Sequence, residues 1–449
     1  MCYNIRKEKK KMSNPSKIDV KIKTLGECKI PSPIVMAIDE NNTRANYTND
    51  NDAIYLFVDK LNANEQTVEA AGPREKIYFN PNRVHAAIAT CGGICPGLNN
   101  IIRSITRCLW YGYGVKRISG IRFGYRGLLQ ETPYPFMELN PDVVDDIQEK
   151  GGTILGSARG GGKEVEEIVD TLERQNINIL FCVGGDGTLR GAADIQAEVE
   201  KRGLKIGIVG IPKTIDNDLR YMQSSFGVNT AVSIATTAVR SAHTEAKNAI
   251  NGIGLVKVMG REAGFIAAQT SLAQSDVNFC LIPENPFDLH GENGFLHHLE
   301  KRILSRGHAV VLVAEGAGQD LLPKTGRKDL SGNVVFADIG LFLKEKIKEH
   351  FKAKNIETNV KYIDPSYIIR SAAADSYDAI FCARLGAHAV HAAMAGRTSV
   401  VVALMHDNYV NLPISLVTSG KNNVDISGNL WRDVLENTRQ PHSMKNNEK

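Results

Sequence analysis

Two tryptophans and an aromatic share of 6% are little for a chain of 449 residues. No apolar run approaches the ~18–20 residues that cross a bilayer, which excludes a helical membrane protein. Cysteine is modest too, at eight residues, and sits inside apolar runs: Cys182 in ILFCVGG, Cys280 in VNFCLIP, Cys382 in AIFCARL. That placement reads as small buried hydrophobes in a reducing cytosol, not as a disulfide scaffold. Cys91 and Cys95 form a CxxxC, but no second Cys/His pair follows, which argues against zinc. A strong charge of one sign is missing as well. The net charge is +4, and residues 1–17 alone hold six Lys/Arg against one Glu, leaving a nearly neutral remainder. With no basic stripe beyond that run, a nucleic-acid partner is not expected. The run itself reads as a solvated tail, with membrane-surface or nucleic-acid contact as the lesser alternative, and a start at Met12 would remove most of it. No apolar segment follows it as in a secretory signal, and the final NNEK is not a peroxisomal address. A cytoplasmic location is expected.

What is present is an ordinary globular composition, 43% hydrophobic and 23% charged, long enough for two or three domains of about 150 residues. Residues 1–80 are polar, Asn-rich and weakly periodic, and predict an extension with a few short elements. From Arg83 short apolar runs alternate with amphipathic windows. HAAIAT (85–90), INILFCV (177–183), KIGIVGI (205–211), GIGLVKV (252–258), VNFCLI (277–282), AVVLVAE (309–315) and TSVVVAL (398–404) read as strands. LNNIIRSITRCLWYGYG, TLRGAADIQAEVEKRG, NTAVSIATTAVRSAHTEAKN and GLFLKEKIKEHFKAK read as helices. Continuously apolar strands between helices indicate parallel sheets covered on both faces, so the fold class is α/β, doubly wound.

Two strands end in glycine-rich turns that enter helices: Gly92-Gly93 within CGGICPG, and Gly184-Gly185-Asp186-Gly187. Glycines at such a point let backbone N–H groups approach a phosphate, although a tight βα turn without a ligand explains either pair equally well. Asp186 shifts the balance for the second, since an acid beside bound phosphate calls for a divalent metal between them. It is neither a Walker A loop nor a dinucleotide fingerprint. A third strand runs into Pro212-Lys213-Thr214-Ile215-Asp216-Asn217-Asp218. Two carboxylates beside a Lys and a Thr suit proton abstraction with phosphate neutralisation; an Asx-rich turn is the even alternative.

GGICPGLNN, GSARGGG (156–162), GGDGT, PKTIDND, SFGVNTAV, VKVMGREAGFIA, IPENPF and YIDPSYIIR (362–370) occur in this order. Together they resemble the phosphofructokinases from about Ala71 to Arg397. GGDGT alone is weak, being shared with NAD kinases and diacylglycerol kinases; followed by PKTIDND and MGR it is specific. The long N-terminal part and AGPREKIYF resemble the ATP-using branch of plants and some protists more than the compact bacterial type.

The resemblance implies two α/β domains facing each other across a cleft. One, 81–227 completed by about 371–425, would bind the nucleotide; the other, 228–370 completed by the C-terminal segment, the sugar phosphate. It implies transfer of a phosphoryl group from ATP to the C1 hydroxyl of fructose 6-phosphate, giving fructose 1,6-bisphosphate and ADP in glycolysis. An allosteric homotetramer is the family expectation. By motif match Gly93, Arg159, Gly160 and Gly184, Gly185, Asp186 and Gly187 would hold ATP, with Mg²⁺ on Asp186. Thr214, Ile215 and Asp216 would meet the sugar, with Asp216 as the general base and Lys213 and Arg159 offsetting charge on the moving group. Met259, Gly260, Arg261, Glu315, Lys361, Tyr367, Ile368, Ile369 and Arg370 match the sugar-phosphate site. Taken singly, Arg261 also reads as a surface-helix residue and Glu315 as a helix cap. Lys361 replaces an Arg, and Tyr367 a His, of compact relatives. Those relatives also lend an Arg from a neighbouring subunit, but the matching position here falls near Gly252.

Gly187 and Lys213 bear on the donor and point different ways. Pyrophosphate-using relatives have GGDD, whose second acid fills the space of the α-phosphate, and they share Lys213. Gly187 acts by exclusion and is weighed more heavily, so ATP is expected. A pyrophosphate-dependent enzyme is the alternative. A silent sugar-phosphate sensor is the remoter one, opposed by the presence of Asp186, Asp216 and Arg261. An NAD-kinase type is opposed by PKTIDND and MGR.

Overall fold

The computed structural model describes residues 18–34, 47–57, 66–132, 134–324, 326–327 and 334–446. The basic run 1–17 and Met12 lie outside the described residues. The N-terminal part forms only short strands: β1 (Lys23–Thr24), β2 (Ile30–Pro31), β3 (Ala53–Tyr55), β4 (Thr67–Ala70) and β5 (Lys76–Ile77).

The alternating region then begins. HAAIAT is β6 (His85–Thr90), followed by α1 (Leu98–Arg107), β7 (Arg117–Ile121), β8 (Met137–Glu138), α2 (Val165–Arg174), β9 (Ile179–Gly184), α3 (Asp186–Lys201) and β10 (Gly207–Pro212). A second series follows: α4 (Val228–Lys247), β11 (Gly252–Val258), α5 (Phe265–Ala273), β12 (Phe279–Leu281), α6 (Phe295–Arg306), β13 (His308–Ala314), α7 (Ile339–Ala353), β14 (Asn359–Ile363) and α8 (Ser366–Arg370). The chain ends with α9 (Ser376–Met394), β15 (Arg397–Thr398), β16 (Val400–Met405), β17 (Asn408–Pro413), α10 (Ile414–Val417) and α11 (Asn429–Thr438).

The large sheet has the order β3-β4-β17-β16-β10-β9-β6-β7-β8, with β16, β10, β9, β6 and β7 parallel. The small sheet, β12-β13-β11-β14, is parallel throughout. Every residue of β6, β9 and β10 is buried because both faces are covered. Successive side chains enter opposite cores: Val209 packs with Phe181 and Ile88, while Ile208 packs with Leu180 and Leu189. In β11, Leu255 and Val256 divide the same way between the two cores of the small sheet. Full burial of each such side chain contributes about 1.5–3 kcal/mol. All seven expected strands form; the edge strand β14 (NVKYI) lacked an apolar run because much of it is exposed.

The N-terminal strands are more integrated than a polar extension implied. β4 pairs with β17 (Asn411↔Glu69), adding β3 and β4 to the large sheet, and β1 pairs with β15. Two buried arginines fix the junction: Arg74 reaches Asp50 and Glu69 at 3.0 Å each, and Arg397 reaches the same two acids at 2.6 and 3.2 Å.

Candidate active site

The order of the large sheet reverses between β6 and β9: β7 lies on one side of β6, β9 and β10 on the other. At such a switch point the carboxyl ends of parallel strands leave a crevice between their outgoing loops. Because Thr90 pairs with Val183 and Gly184 with Pro212, the three turns that follow lie side by side.

In the first turn Gly92 N–H donates to Ala158 O at 2.9 Å and Ser157 Oγ to Gly92 O at 2.6 Å, which ties it to the 156–162 loop. Arg159 and Gly160 are in that loop, Gly160 exposed with φ +83°. In the second turn a Cβ at Gly184 would stand 2.2 Å from Thr188 Oγ1, so only glycine fits. Gly187 is different: it is exposed, and a Cβ there would meet open space, with nothing outside its own helix and chain neighbours within 4 Å. Lys213 binds the turns together. It is buried, its N–H donates to Gly184 O at 3.0 Å and its Nζ to Gly93 O at 2.6 Å. Burial pushes its ammonium below the ordinary lysine range, and the charges of Arg159 and Arg370 press the same way.

Asp186 opens α3. Its Oδ2 accepts from Arg190 Nε at 3.1 Å, while Oδ1 is buried without a hydrogen-bond partner. That orphaned oxygen, beside the open space at Gly187, fits a divalent cation completed by phosphate oxygens. Mg²⁺ typically takes one or two carboxylates plus substrate phosphates, so the absence of a three-ligand cluster among the described residues is in keeping.

Asp216 has the same signature. Oδ2 accepts from Arg261 N–H at 3.3 Å, and Oδ1 is buried and unpartnered. Burial, with the charges of Glu315 and Asp218, pushes its carboxyl up to about 7. Thr214 turns to Asp218 instead, its Oγ1 donating to Asp218 Oδ1 at 2.5 Å. Ile215 packs between a core of the large sheet and one of the small sheet, so this segment is the seam of the two halves.

Opposite stand the carboxyl ends of β11 and β13. Val258 pairs with Ala314, so Met259 and Glu315 leave the sheet together. Gly260 has φ +125°, and a Cβ there would stand 2.6 Å from Ala263 O, so the turn requires glycine. Burial raises the Glu315 carboxyl above its usual range, against the opposing charges of Arg370 and Arg261. The Arg261 guanidinium lies over Phe336, 5.0 Å from the ring centre, and donates to Val334 O. Arg370 Nε donates to Met259 Sδ at 3.3 Å.

Of the other residues expected at the site, Ile369 enters a core and the rest are solvent-exposed or on a sheet edge. α8 sends Ile369 into the small-sheet core, while Tyr367 is 82% exposed and Ile368 65% exposed. A helix turns about 100° per residue, so four consecutive residues cannot all face one ligand. Lys361 lies on the edge strand and pairs with Glu245 at 3.8 Å. At Gly252 a Cβ would stand 2.1 Å from Ala246 O, so the position has no room for an arginine.

A family model described as phosphofructokinase matches residues 85–393. The chain belongs to the phosphofructokinase family. It is 56% identical over 443 residues to an ATP-dependent 6-phosphofructokinase of Borreliella burgdorferi, covering 96% of this chain and 98% of the relative. A chloroplastic ATP-dependent 6-phosphofructokinase of Arabidopsis thaliana is 50% identical, covering 84% and 70%. The ATP-dependent 6-phosphofructokinase of Trypanosoma brucei brucei is 48% identical, covering 82% and 76%. Bacterial phosphofructokinases thus stand beside the plant and protist ones expected from the sequence. Among solved structures, a pyrophosphate-dependent phosphofructokinase from Marinobacter aquaeolei matches with TM-score 0.66 at 21% identity, covering 80% of this chain and 92% of that one. At that identity the likeness concerns the phosphofructokinase fold alone.

Sequence reasoning left three residues of this phosphofructokinase without a role. Arg190 was findable, one helical turn after Asp186. Asp218 was one of the motif's two carboxylates but had no part of its own. Lys421 donates to Asp218 Oδ2 at 2.6 Å from 203 residues away, and no local pattern marks it.

Proposed function

We propose that this chain is an ATP-dependent 6-phosphofructokinase, transferring a phosphoryl group from ATP to the C1 hydroxyl of fructose 6-phosphate in glycolysis. The observation that carries the reading is Asp216: a buried carboxyl pushed up to about 7, with one oxygen unpartnered, at the seam between the two turn clusters. Phosphoryl transfer needs an in-line acceptor, positive charge around the moving group and a base for the acceptor proton. Asp216 accepts the proton of the C1 hydroxyl as that oxygen attacks. Lys213 and Arg159 offset charge on the moving group from the donor side. Glu315, Arg261 and Arg370 orient the sugar phosphate from the small-sheet side, so the residues around the large sheet form the nucleotide-binding domain and those around the small sheet the sugar-phosphate domain. Asp186 would hold Mg²⁺, which when bound neutralises phosphate charge.

The open space at Gly187 favours a nucleotide over pyrophosphate. Seven free cysteines among the described residues suit a reducing cytoplasm. Exposed Tyr367, Ile368, Tyr377 and Ile380 favour a homo-oligomer, a tetramer in this reading. The test is kcat/KM for fructose 6-phosphate with Mg²⁺ and either ATP or pyrophosphate. ATP is expected to be preferred by orders of magnitude. Preference for pyrophosphate would replace the donor, and sugar-phosphate binding without turnover with either would leave a sensor.

A further inference from the structure

Residues 418–424 cross the seam of the molecule as a strap. At one end Val417 is buried in a core of the large sheet; at the other Val424 is buried in a core of the small sheet. Between them the strap bonds in succession to α3, to the 212–219 segment and to the residues beside Arg261. Thr418 O accepts from Arg190 Nη2 at 2.6 Å, and Arg190 also holds Asp186. Lys421 bridges to Leu219, Asn422 N–H donates to Asp218 O at 2.9 Å, and Asn422 Nδ2 donates to Asn217 O at 3.2 Å. Asn423 Nδ2 donates to Glu262 O, next to Arg261, and Val424 N–H donates to Glu284 Oε1 at 2.8 Å. Glu284 in turn accepts from Gly264 N–H at 2.9 Å, at the start of α5.

The strap delivers one cation. Lys421 Nζ stands 2.6 Å from Asp218 Oδ2, while Thr214 holds Asp218 Oδ1. Each oxygen of Asp218 is thereby held and part of its charge is offset, while Asp216, two residues earlier, keeps an oxygen without a hydrogen-bond partner. We propose that Lys421 is a positioning residue for phosphoryl transfer, holding Asp218 fixed and offsetting its charge so that Asp216 alone meets the acceptor hydroxyl and the anionic donor is repelled less. This rests on the function proposed above. Without the ammonium, the Asp218 carboxylate keeps only its bond from Thr214 and its charge is left uncompensated. The main-chain bonds of the strap do not depend on it, so the fold should survive the change.

The experiment compares Lys421→Met and Lys421→Arg with wild type, using whichever donor the wild type turns over. A wrong donor would therefore overturn the reading above and leave this comparison standing. Loss of a charge-assisted hydrogen bond predicts that Lys421→Met lowers kcat about 10–100-fold. KM for fructose 6-phosphate should stay within about threefold and Tm close to that of wild type, since neither the sugar-phosphate groups nor the strap's backbone bonds are removed. Lys421→Arg should recover most of the rate. A kcat for Lys421→Met within twofold of wild type would overturn the proposal. So would a loss that Lys421→Arg does not restore, or one that tracks a matching fall in Tm, which would mark Lys421 as structural.

Discussion

On the large-sheet side of the cleft stand two glycine turns, Gly92–Gly93 and Gly184–Gly187, laid side by side and joined by Lys213. On the small-sheet side stand side chains already engaged with one another, Arg370 on Met259 and Arg261 over Phe336. A phosphate chain presents many equivalent oxygens and suits a cradle of N–H groups. A sugar phosphate must be oriented as well as bound, which calls for forked cations and carboxylates placed individually. The first half is therefore sensitive to added bulk, and the second to lost charge.

Asp216 belongs to the first half in sequence and to both in space, so replacing it should break both sides at once. Asp216→Asn is expected to lower kcat by ~10²–10⁴-fold with fructose 6-phosphate binding by calorimetry nearly intact. Wild-type kcat/KM should fall with acidity through a limb near pH 7, since only the ionised carboxylate accepts a proton. The same raised value means the native state binds more protons than the unfolded chain from pH 3.8 to about 7, and stability declines as pH rises through that window. Asp216→Asn should therefore raise stability at neutral pH by about 1–3 kcal/mol, seen as a higher Tm, despite the loss of turnover. Retention of half the wild-type kcat would remove Asp216 as the base.

Gly187→Asp tests the cradle alone. Outside its chain neighbours and its own helix backbone nothing lies within 4 Å of a Cβ at this position, so the fold should be undisturbed and Tm close to wild type. Two like charges ~4 Å apart repel by ~4 kcal/mol at an effective dielectric near 20, so kcat/KM with ATP should fall by up to ~10³-fold. Pyrophosphate, which has no group there, should be spared. A variant that keeps the wild-type preference for ATP would show that Gly187 does not face the nucleotide.

Arg370→Ala and Arg261→Ala address the opposite half, with a smaller effect. Each should raise KM for fructose 6-phosphate by ~10–100-fold, corresponding to ~1.5–3 kcal/mol for a charge-assisted contact, and leave KM for ATP within a few-fold. Equal effects on both substrates would mean that the sides of the cleft have been assigned the wrong way round.

This division also explains what could be read from the sequence. The cradle consists of contiguous motifs at the ends of buried strands, where apolar runs and glycines are local signals. The side-chain half was reached only through family resemblance, because Arg261, Glu315 and Arg370 come from separate strands and a helix. Resemblance also carried over whole motifs where geometry uses single residues: YIIR included Ile369, which fills a core, and Ile368, which faces outward. Lys421 escaped both routes, since its partner is 203 residues away and a lone lysine in a polar loop has no signature.

The pairing of β4 with β17 has a consequence for the order of assembly. Glu69 finds Asn411 across 342 residues of chain, and Asp50 finds Arg397 across 347. At a synthesis rate of ~5–20 residues per second, these N-terminal strands wait tens of seconds for partners that do not yet exist. Their contacts are also among the most costly in loop-closure entropy, so they form after the local βα units. The segment translated first is therefore among the last to be fixed in place. Until Arg397 emerges, the arginine–carboxylate junction has only Arg74 to hold its two acids, and until β17 follows, the edge of the large sheet stays unfinished.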